Sequence, residues 1–150
     1  MSRRGSFRCQ ICGRKKHLRK NGTVVHHHVG GPQCPGAGYP PIEHDDARLV
    51  GYAGEIGAAY ERAAAAVKRL EEDRANWIDP VLVARRRLLA AEVVKISRRV
   101  QRHLDWPERY RRSMALQMEK FGYVWSDPPP LYLVERAGEA KGAGEPLNAL

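Results

Sequence analysis

Apolar residues recur through the middle of the chain with the spacing of α-helices. Between residues 45 and 76 they follow a strict alternation of four and three positions: Leu49, Ala53, Ile56, Tyr60, Ala63, Val67 and Leu70. This heptad spacing predicts a helix that packs lengthwise on another helix. Asp45 and Asp46 stand at its start, where a carboxylate can cap free amides and interacts favourably with the helix dipole.

A second helix is predicted over residues 80–104, because Asp79-Pro80 is a typical helix start. Its apolar stripe is formed by Leu82, Leu89, Val93, Ile96, Val100 and Leu104. Since the connection between the two helices is short, an antiparallel helical hairpin is the expected arrangement. Trp106-Pro107 ends the second helix and permits a shorter third one, over residues 107–121, which we expect to cap the hairpin.

The two ends of the chain have a different character. Asn21-Gly22 is typical of a two-residue hairpin turn, with strands over residues 18–20 and 23–29. Residues 127–130 are proline-rich, and from Ala137 the composition predicts a disordered tail. The sequence thus predicts a mainly α fold with three parts: a metal-binding knuckle and β-hairpin module (1–41), the helical hairpin with its third helix (42–126), and a Pro-rich segment with a disordered tail (127–150).

Composition and charge narrow the classes of function. At 150 residues the chain suits one compact domain, or a small module joined to a helical unit. No segment is apolar enough to span a bilayer and no signal peptide is recognisable, so we expect no membrane and a cytoplasmic protein, in the host cytoplasm if it is phage-encoded. The net charge of +9 favours anionic partners such as nucleic acid, because lysine and arginine release counterions from phosphates.

All three cysteines fall in the first module, at Cys9, Cys12 and Cys34. A C-x-x-C pair lets two thiolates converge on one ion, and a later histidine and cysteine complete a Cys3His set. Four protein ligands leave no open position, so the predicted cofactor is structural zinc. Any of three adjacent histidines could be the fourth ligand. His27 is preferred to His28 and then to His26, because the alternation of side chains along a strand would direct His27 inward.

Outside the metal site, His17, His44 and His103 are interpreted as isolated surface residues. The first segment contains, in order, Cys9-x-x-Cys12-Gly13, Asn21-Gly22-Thr23, His27, Cys34-Pro35-Gly36-Ala37-Gly38 and Pro40-Pro41. This pattern resembles a short zinc-finger-like module of small actinobacterial and actinobacteriophage proteins. The resemblance covers only the first 41 residues or so. It implies Cys9, Cys12, His27 and Cys34 as ligands and says little about function, and the additional histidines depart from its usual single histidine.

The favoured function is non-catalytic binding of nucleic acid, DNA in preference to RNA. Basic residues flank the knuckle with no acidic residue among the first 20 positions, and a second basic face lies on the second helix. The candidate contacts to phosphates are Arg3, Arg4, Arg8, Arg14, Lys15, Lys16, Arg19, Lys20, Arg87, Lys95, Arg98 and Arg102. Two basic segments could grip the backbone with little sequence readout.

Two alternatives remain open. The heptad helices could serve a protein adaptor, a homodimer or a structural component of a virion, since the same spacing packs helices within a chain or between chains. An HNH-like nuclease would also join a C-x-x-C knuckle to a Val-His-His segment, with histidine as base beside a divalent metal. Its constellation is incomplete here, because only His44 follows nearby, no asparagine lies between it and His28, and a second C-x-x-C is missing. No catalytic residue is assigned.

Overall fold

The computed structural model of the chain describes residues 7–73, 76–123 and 127–143. Two short strands, β1 (Phe7–Arg8) and β2 (Lys15–Lys16), precede four helices: α1 (Ala47–Glu72), α2 (Pro80–Leu104), α3 (Trp106–Phe121) and α4 (Leu131–Ala143). The predicted class, mainly α with an N-terminal β-hairpin and a helical hairpin, is confirmed. Among the described residues, no helix has the length and apolar character needed to cross a membrane.

Helices α1 and α2 form the helical hairpin. The Tyr52 hydroxyl near the start of α1 donates to a carboxylate oxygen of Glu92 in the second half of α2, at 3.3 Å. Leu49 and Ile96 meet in one buried cluster with Ile42, the residue that leads into α1. Since contacts early in α1 fall late in α2, the helices run antiparallel, as the short connection predicts.

The heptad positions of α1 face this contact. Leu49, Ala63 and Val67 are buried, and the other four members of the stripe are half-buried. On α2 only Ile96 of the predicted stripe is fully buried, and Leu104 at the end of the helix is exposed. Asp79 caps α2 as expected, its side chain accepting a hydrogen bond from the Val81 amide at 2.9 Å.

The N-terminal strands lie elsewhere than predicted. β1 and β2 pair antiparallel on either side of the C-x-x-C knuckle, with Phe7 opposite Lys16. The chain does reverse at residues 19–22, where the Gly22 amide donates to the Arg19 carbonyl at 2.9 Å. Beyond that turn the two sides meet only in an isolated bridge between Leu18 and Val24. Residues 25–29 do not form the expected strand, and they belong to a loop that holds His27 beside the cysteines.

Residues 127–130 are irregular, as expected, but part of the disordered tail predicted from Ala137 is helical. Residues 131–143 form α4, while residues 144–150 lie outside the described residues. The Pro130 carbonyl accepts from the amides of Leu133 and Val134 at 3.1 and 3.2 Å, which starts the helix. Leu133 is only 2% exposed. Burial of this side chain offsets a composition that, by itself, disfavours ordered structure.

Candidate metal centre

The C-x-x-C knuckle lies at the tip of the β1–β2 hairpin. The Cys9 amide donates to the Arg14 carbonyl at 3.0 Å, and the Gly13 amide donates to the Cys9 carbonyl at 3.0 Å. Gly13 has a φ of +70°, a conformation that side chains with a Cβ rarely adopt. These bonds fold the chain so that the Cys9 and Cys12 side chains point to one place.

The other two candidate ligands come from the loop after the Arg19–Gly22 turn. The Cys34 amide donates to the His27 carbonyl at 2.8 Å, which fixes the spacing of these two residues. Gly36 then brings the backbone close to the knuckle. A Cβ at this position would overlap the Cys9 Sγ and lie 3.1 Å from a carbon of Ile11. A residue larger than glycine is therefore incompatible with this approach.

The four side chains lie close enough to hold a metal ion. The ligand atoms of Cys9, Cys12, His27 and Cys34 all lie within 4.8 Å of one another. The Cys9 and Cys34 sulfurs are 3.7 Å apart, and the Cys12 sulfur is 3.3 Å from the His27 Nε2. Two sulfurs bound to one ion at about 2.3 Å would be about 3.8 Å apart in a tetrahedron. The donor set and its dimensions fit a four-coordinate ion.

Burial and proximity to the Cys12 sulfur distinguish His27 from the two neighbouring histidines, and a hydrogen bond sets the tautomer of its ring. Its Nδ1 donates to the Val25 carbonyl at 2.9 Å, and a carbonyl can only accept. In the neutral ring Nε2 is then free of a proton and available as a ligand. His26 and His28 are exposed and point away, with their rings hydrogen bonded to Gln33 and Gly31.

Burial favours the neutral thiol of Cys9 over its thiolate in the absence of an ion. Cys9 is fully buried, and its loss of solvent raises the pKa of the thiol to about 12, although the backbone amides of Cys12 and Ile11 work in the opposite direction. A cation would reverse the effect, because it stabilises the thiolate directly. The geometry is therefore suited to a site whose cysteines become anionic when the ion is bound.

The knuckle also binds the helical hairpin. Gln10, which is fully buried, accepts a hydrogen bond from the Leu49 amide at 2.9 Å and donates to the Pro40 carbonyl at 2.8 Å. It thereby caps the first turn of α1, a role that the sequence assigns to Asp45 and Asp46. Asp45 does accept from the Ala47 amide at 2.8 Å, whereas Asp46 makes no capping hydrogen bond. From α2, Arg99 donates to the carbonyls of Gln10 and Cys9 at 3.2 and 3.4 Å.

Asp46 has another function in the fold. Its buried carboxylate accepts from the His103 Nε2 at 3.1 Å and from the Arg136 guanidinium at 2.6 Å, which joins α1, α2 and α4. Burial acts to raise the pKa of Asp46, but hydrogen bonds from Arg136 and His103 outweigh it and lower the pKa. His103 is 3% exposed, so its assignment as a surface residue is wrong. Nothing in the local sequence distinguishes it, because its hydrogen-bond partner Asp46 lies 57 residues away.

The predicted phosphate contacts fall into different environments. Eight of them are exposed: Arg14, Lys15, Arg19 and Lys20 around the knuckle, and Arg87, Lys95, Arg98 and Arg102 on α2. Lys16 is half-buried. Arg8 is engaged within the fold: it binds the carboxylates of Glu43 and Asp127 and lies over the Trp106 ring at 4.8 Å. Arg3 and Arg4 lie outside the described residues.

No protein-family model, no curated protein and no solved structure matches this chain. The resemblance of the first 41 residues to an actinobacterial zinc-finger-like module stays a prediction. The function proposed below rests on the side chains of this chain and their contacts.

Proposed function

We propose that this chain is a zinc-stabilised, non-catalytic nucleic-acid-binding protein. Cys9, Cys12, His27 and Cys34 would hold Zn²⁺, which the combination of three thiolates and one imidazole favours over hard cations. When bound, the ion supplies a structural link between the knuckle and the loop of residues 24–38. The centre would carry one net negative charge, and the Arg99 guanidinium beside the knuckle is placed to balance it.

One observation carries the nucleic-acid proposal. Hydrogen bonds from Arg99 join the C-terminal half of α2 to the knuckle. The basic segment after the knuckle and the basic segment of α2, about 85 residues apart in sequence, therefore lie side by side. Arg14 and Lys15 follow Gly13, and the Arg99 guanidinium lies 3.2 to 3.3 Å from where a Gly13 Cβ would be. Arg98 and Arg102 flank Arg99 on α2. A contiguous basic surface supports binding to phosphates better than scattered charges do.

The test combines metal analysis with binding to duplex DNA and to RNA of one sequence. We expect one zinc per chain and an affinity that falls with salt, with a slope of about 0.9 per phosphate contact on duplex DNA. Arg14→Ala with Lys15→Ala should weaken binding about tenfold at low salt and reduce that slope. The measurement is fluorescence anisotropy over a salt series, with the same titration repeated after chelation.

The matched control removes two charges from the other end of the hairpin. Lys68→Ala with Arg85→Ala changes net charge equally, at positions roughly 20 to 30 Å along the helices from the knuckle contacts. Both side chains are exposed. Equal weakening by the control pair would show that only net charge matters, and absence of binding to DNA and RNA at low salt would overturn the proposal.

A protein-binding role is the second candidate. An apolar groove of about 980 Å³ runs between α3 and α4, with Tyr110, Met114 and Leu133 among its lining residues. None of the residues of α3, all of which the structure describes, is fully buried. Self-association that survives high salt and is abolished by Met114→Lys, measured by light scattering after size exclusion, would favour this role.

A further inference from the structure

A polar cavity of about 380 Å³ lies where the knuckle meets the end of α2 and the start of α3. Four arginines line it: Arg8, Arg99, Arg102 and Arg109. Asp127 is the carboxylate among its lining residues. Only Arg8 and Arg102 are among the phosphate contacts that the sequence predicts. Arg99 and Arg109 come from different helices, α2 and α3.

The four guanidinium groups are unequally neutralised. Arg8 binds two carboxylates, those of Glu43 and Asp127. Arg99 binds backbone carbonyls of the knuckle, and Arg109 donates to the Arg102 carbonyl at 2.6 Å. Within the described part of the chain, the guanidiniums of Arg102 and Arg109 form no ion pair. Two positive groups without a carboxylate partner therefore face one cavity.

A second feature of the cavity is a buried polar atom without a partner. His103 lines the cavity and is 3% exposed, and its Nε2 is held by Asp46. Its Nδ1 is buried and has no hydrogen-bond partner among the described residues. Such atoms are rare in folded proteins and usually mark a place for an ordered water, an ion or a ligand group. Because Nε2 donates to Asp46, Nδ1 of the neutral ring can only accept, so its partner would be a donor such as an ordered water and not a phosphate oxygen. The arginine cluster therefore carries the inference on its own.

We propose that this cavity binds a phosphate group, held chiefly by Arg102 and Arg109 at its edge, with Arg99 behind them. Guanidinium groups bind phosphate oxygens through two parallel hydrogen bonds, and several of them can share one tetrahedral anion. The inference deepens the proposed function and rests on it in one respect: the natural source would be a phosphate of the bound nucleic acid. A free phosphate compound shares the same chemistry.

Geometry also gives this phosphate a distinct role. Cys12 and Gly13 line the cavity together with Arg102 of α2, so a phosphate bound here would contact both the metal module and the helical hairpin. The exposed lysines and arginines elsewhere can interact with many phosphates in many registers. A recessed site with several converging donors would instead fix the position of one phosphate relative to the protein.

The experiment uses the zinc-loaded, full-length chain and two probes. Inorganic phosphate is titrated by isothermal calorimetry, and duplex DNA by anisotropy at a fixed salt concentration. Arg102→Ala with Arg109→Ala should reduce phosphate affinity at least about tenfold, as expected for loss of charge-assisted hydrogen bonds. The control pair, Lys68→Ala with Arg85→Ala, should leave it unchanged. Both pairs change exposed side chains, and circular dichroism verifies that they fold.

The outcomes separate the cavity from the wider proposal. Phosphate binding that is lost in the cavity pair and kept in the control pair supports the site, whether or not DNA binds. If such a protein does not bind nucleic acid, the proposed function fails and the site serves a free phosphate compound. No phosphate binding by the wild-type chain, or equal loss in the two pairs, overturns the inference even if DNA binding persists.

Discussion

The metal module, residues 7–44, and the helical hairpin of α1 and α2 are stabilised by different physical means. The hairpin contains 26 and 25 residues in two helices, which satisfy their own backbone and bury a stripe of apolar side chains. The module has only four residues in paired strands. Its buried cluster consists of Val24 and two of the candidate ligands, Cys9 and Cys34. The interior of the module is thus the metal site itself.

This difference shows how a short segment without regular structure can be ordered. Below about 40 residues an apolar core rarely offsets the entropy of folding, and a metal commonly compensates. The two regions still share an interface, formed by Gln10, Arg99 and the cluster of Ile42, Leu49 and Ile96. Three substitutions test how far their stabilities are separate.

Removal of the metal should separate the two regions most strongly. Structural zinc sites contribute on the order of 10 kcal/mol of apparent binding free energy, so Cys12→Ser or chelation should unfold the module. The hairpin should remain helical apart from the first turn of α1, which loses its Gln10 cap. Hydrogen exchange by mass spectrometry should show loss of protection over residues 7–44 and retention over most of residues 47–104.

Histidine variants provide the matched control for this result. His27→Ala should release the metal, whereas His26→Ala and His28→Ala should retain one zinc per chain by plasma mass spectrometry. If far-ultraviolet circular dichroism shows that the helices unfold together with the module, the chain is one cooperative unit and the comparison is wrong. Metal release by His28→Ala but not by His27→Ala would contradict the ligand assignment.

Asp46→Asn tests the link from α1 to α2 and α4. It should cost about 2–3 kcal/mol at neutral pH, because a buried carboxylate with two charge-assisted hydrogen bonds is lost. The pKa of Asp46 is lowered in the folded protein, so its contribution is complete above 3.8, its ordinary value, and disappears as pH falls through the folded value. The difference in unfolding free energy should therefore be equal at neutral pH and at about pH 5.5.

The neighbouring carboxylate supplies the comparison for that variant. Asp45 accepts a hydrogen bond from the Ala47 amide at 2.8 Å and is less buried, so Asp45→Asn should cost less than about 1 kcal/mol. Thermal or urea unfolding followed by circular dichroism measures both. Equal effects of the two variants would show that Asp46 acts only as part of a helix terminus and not as a link between three helices.

Gln10→Ala should have the smallest effect of the three. It removes the cap on the Leu49 amide and the bond to the Pro40 carbonyl, at a cost of about 1–2 kcal/mol. Amide exchange at Leu49 should accelerate while the zinc content stays unchanged. Gln33→Ala, an exposed glutamine in the same module, should alter neither quantity. Loss of zinc in Gln10→Ala would mean that helix capping and metal binding are one event.

Local patterns were sufficient to predict α1, α2 and α3. The four-three spacing of α1, the Asp79-Pro80 start of α2 and the Trp106-Pro107 start of α3 act within a few residues, and the structure has helices at these places. The C-x-x-C pair is similarly local. Its two additional candidate ligands could be narrowed to a few residues because one cysteine and a run of three adjacent histidines follow within the module, besides the single His17 and His44.

Long-range contacts account for the predictions that were wrong. His103 is buried beside Asp46, a hydrogen-bond partner that lies 57 residues away in sequence. Helix α4 is stabilised by the burial of Leu133. The strands flank the knuckle and do not extend from the Arg19–Gly22 turn, since residues 24–34 make their hydrogen bonds with several separate segments. Arg8 looks like a free basic residue until Glu43 and Asp127 are placed beside it.

The sequence by itself determined which residues form the three long helices and which residue types surround the candidate metal, because periodicity, capping and ligand spacing are properties of neighbouring positions. Only the tertiary structure decided that Nε2 of His27 faces the cysteines, that Gln10 caps α1 and that four arginines surround one cavity. These features depend on which distant backbone atoms and charges meet when the module docks on the hairpin. A linear pattern contains no information on those distances.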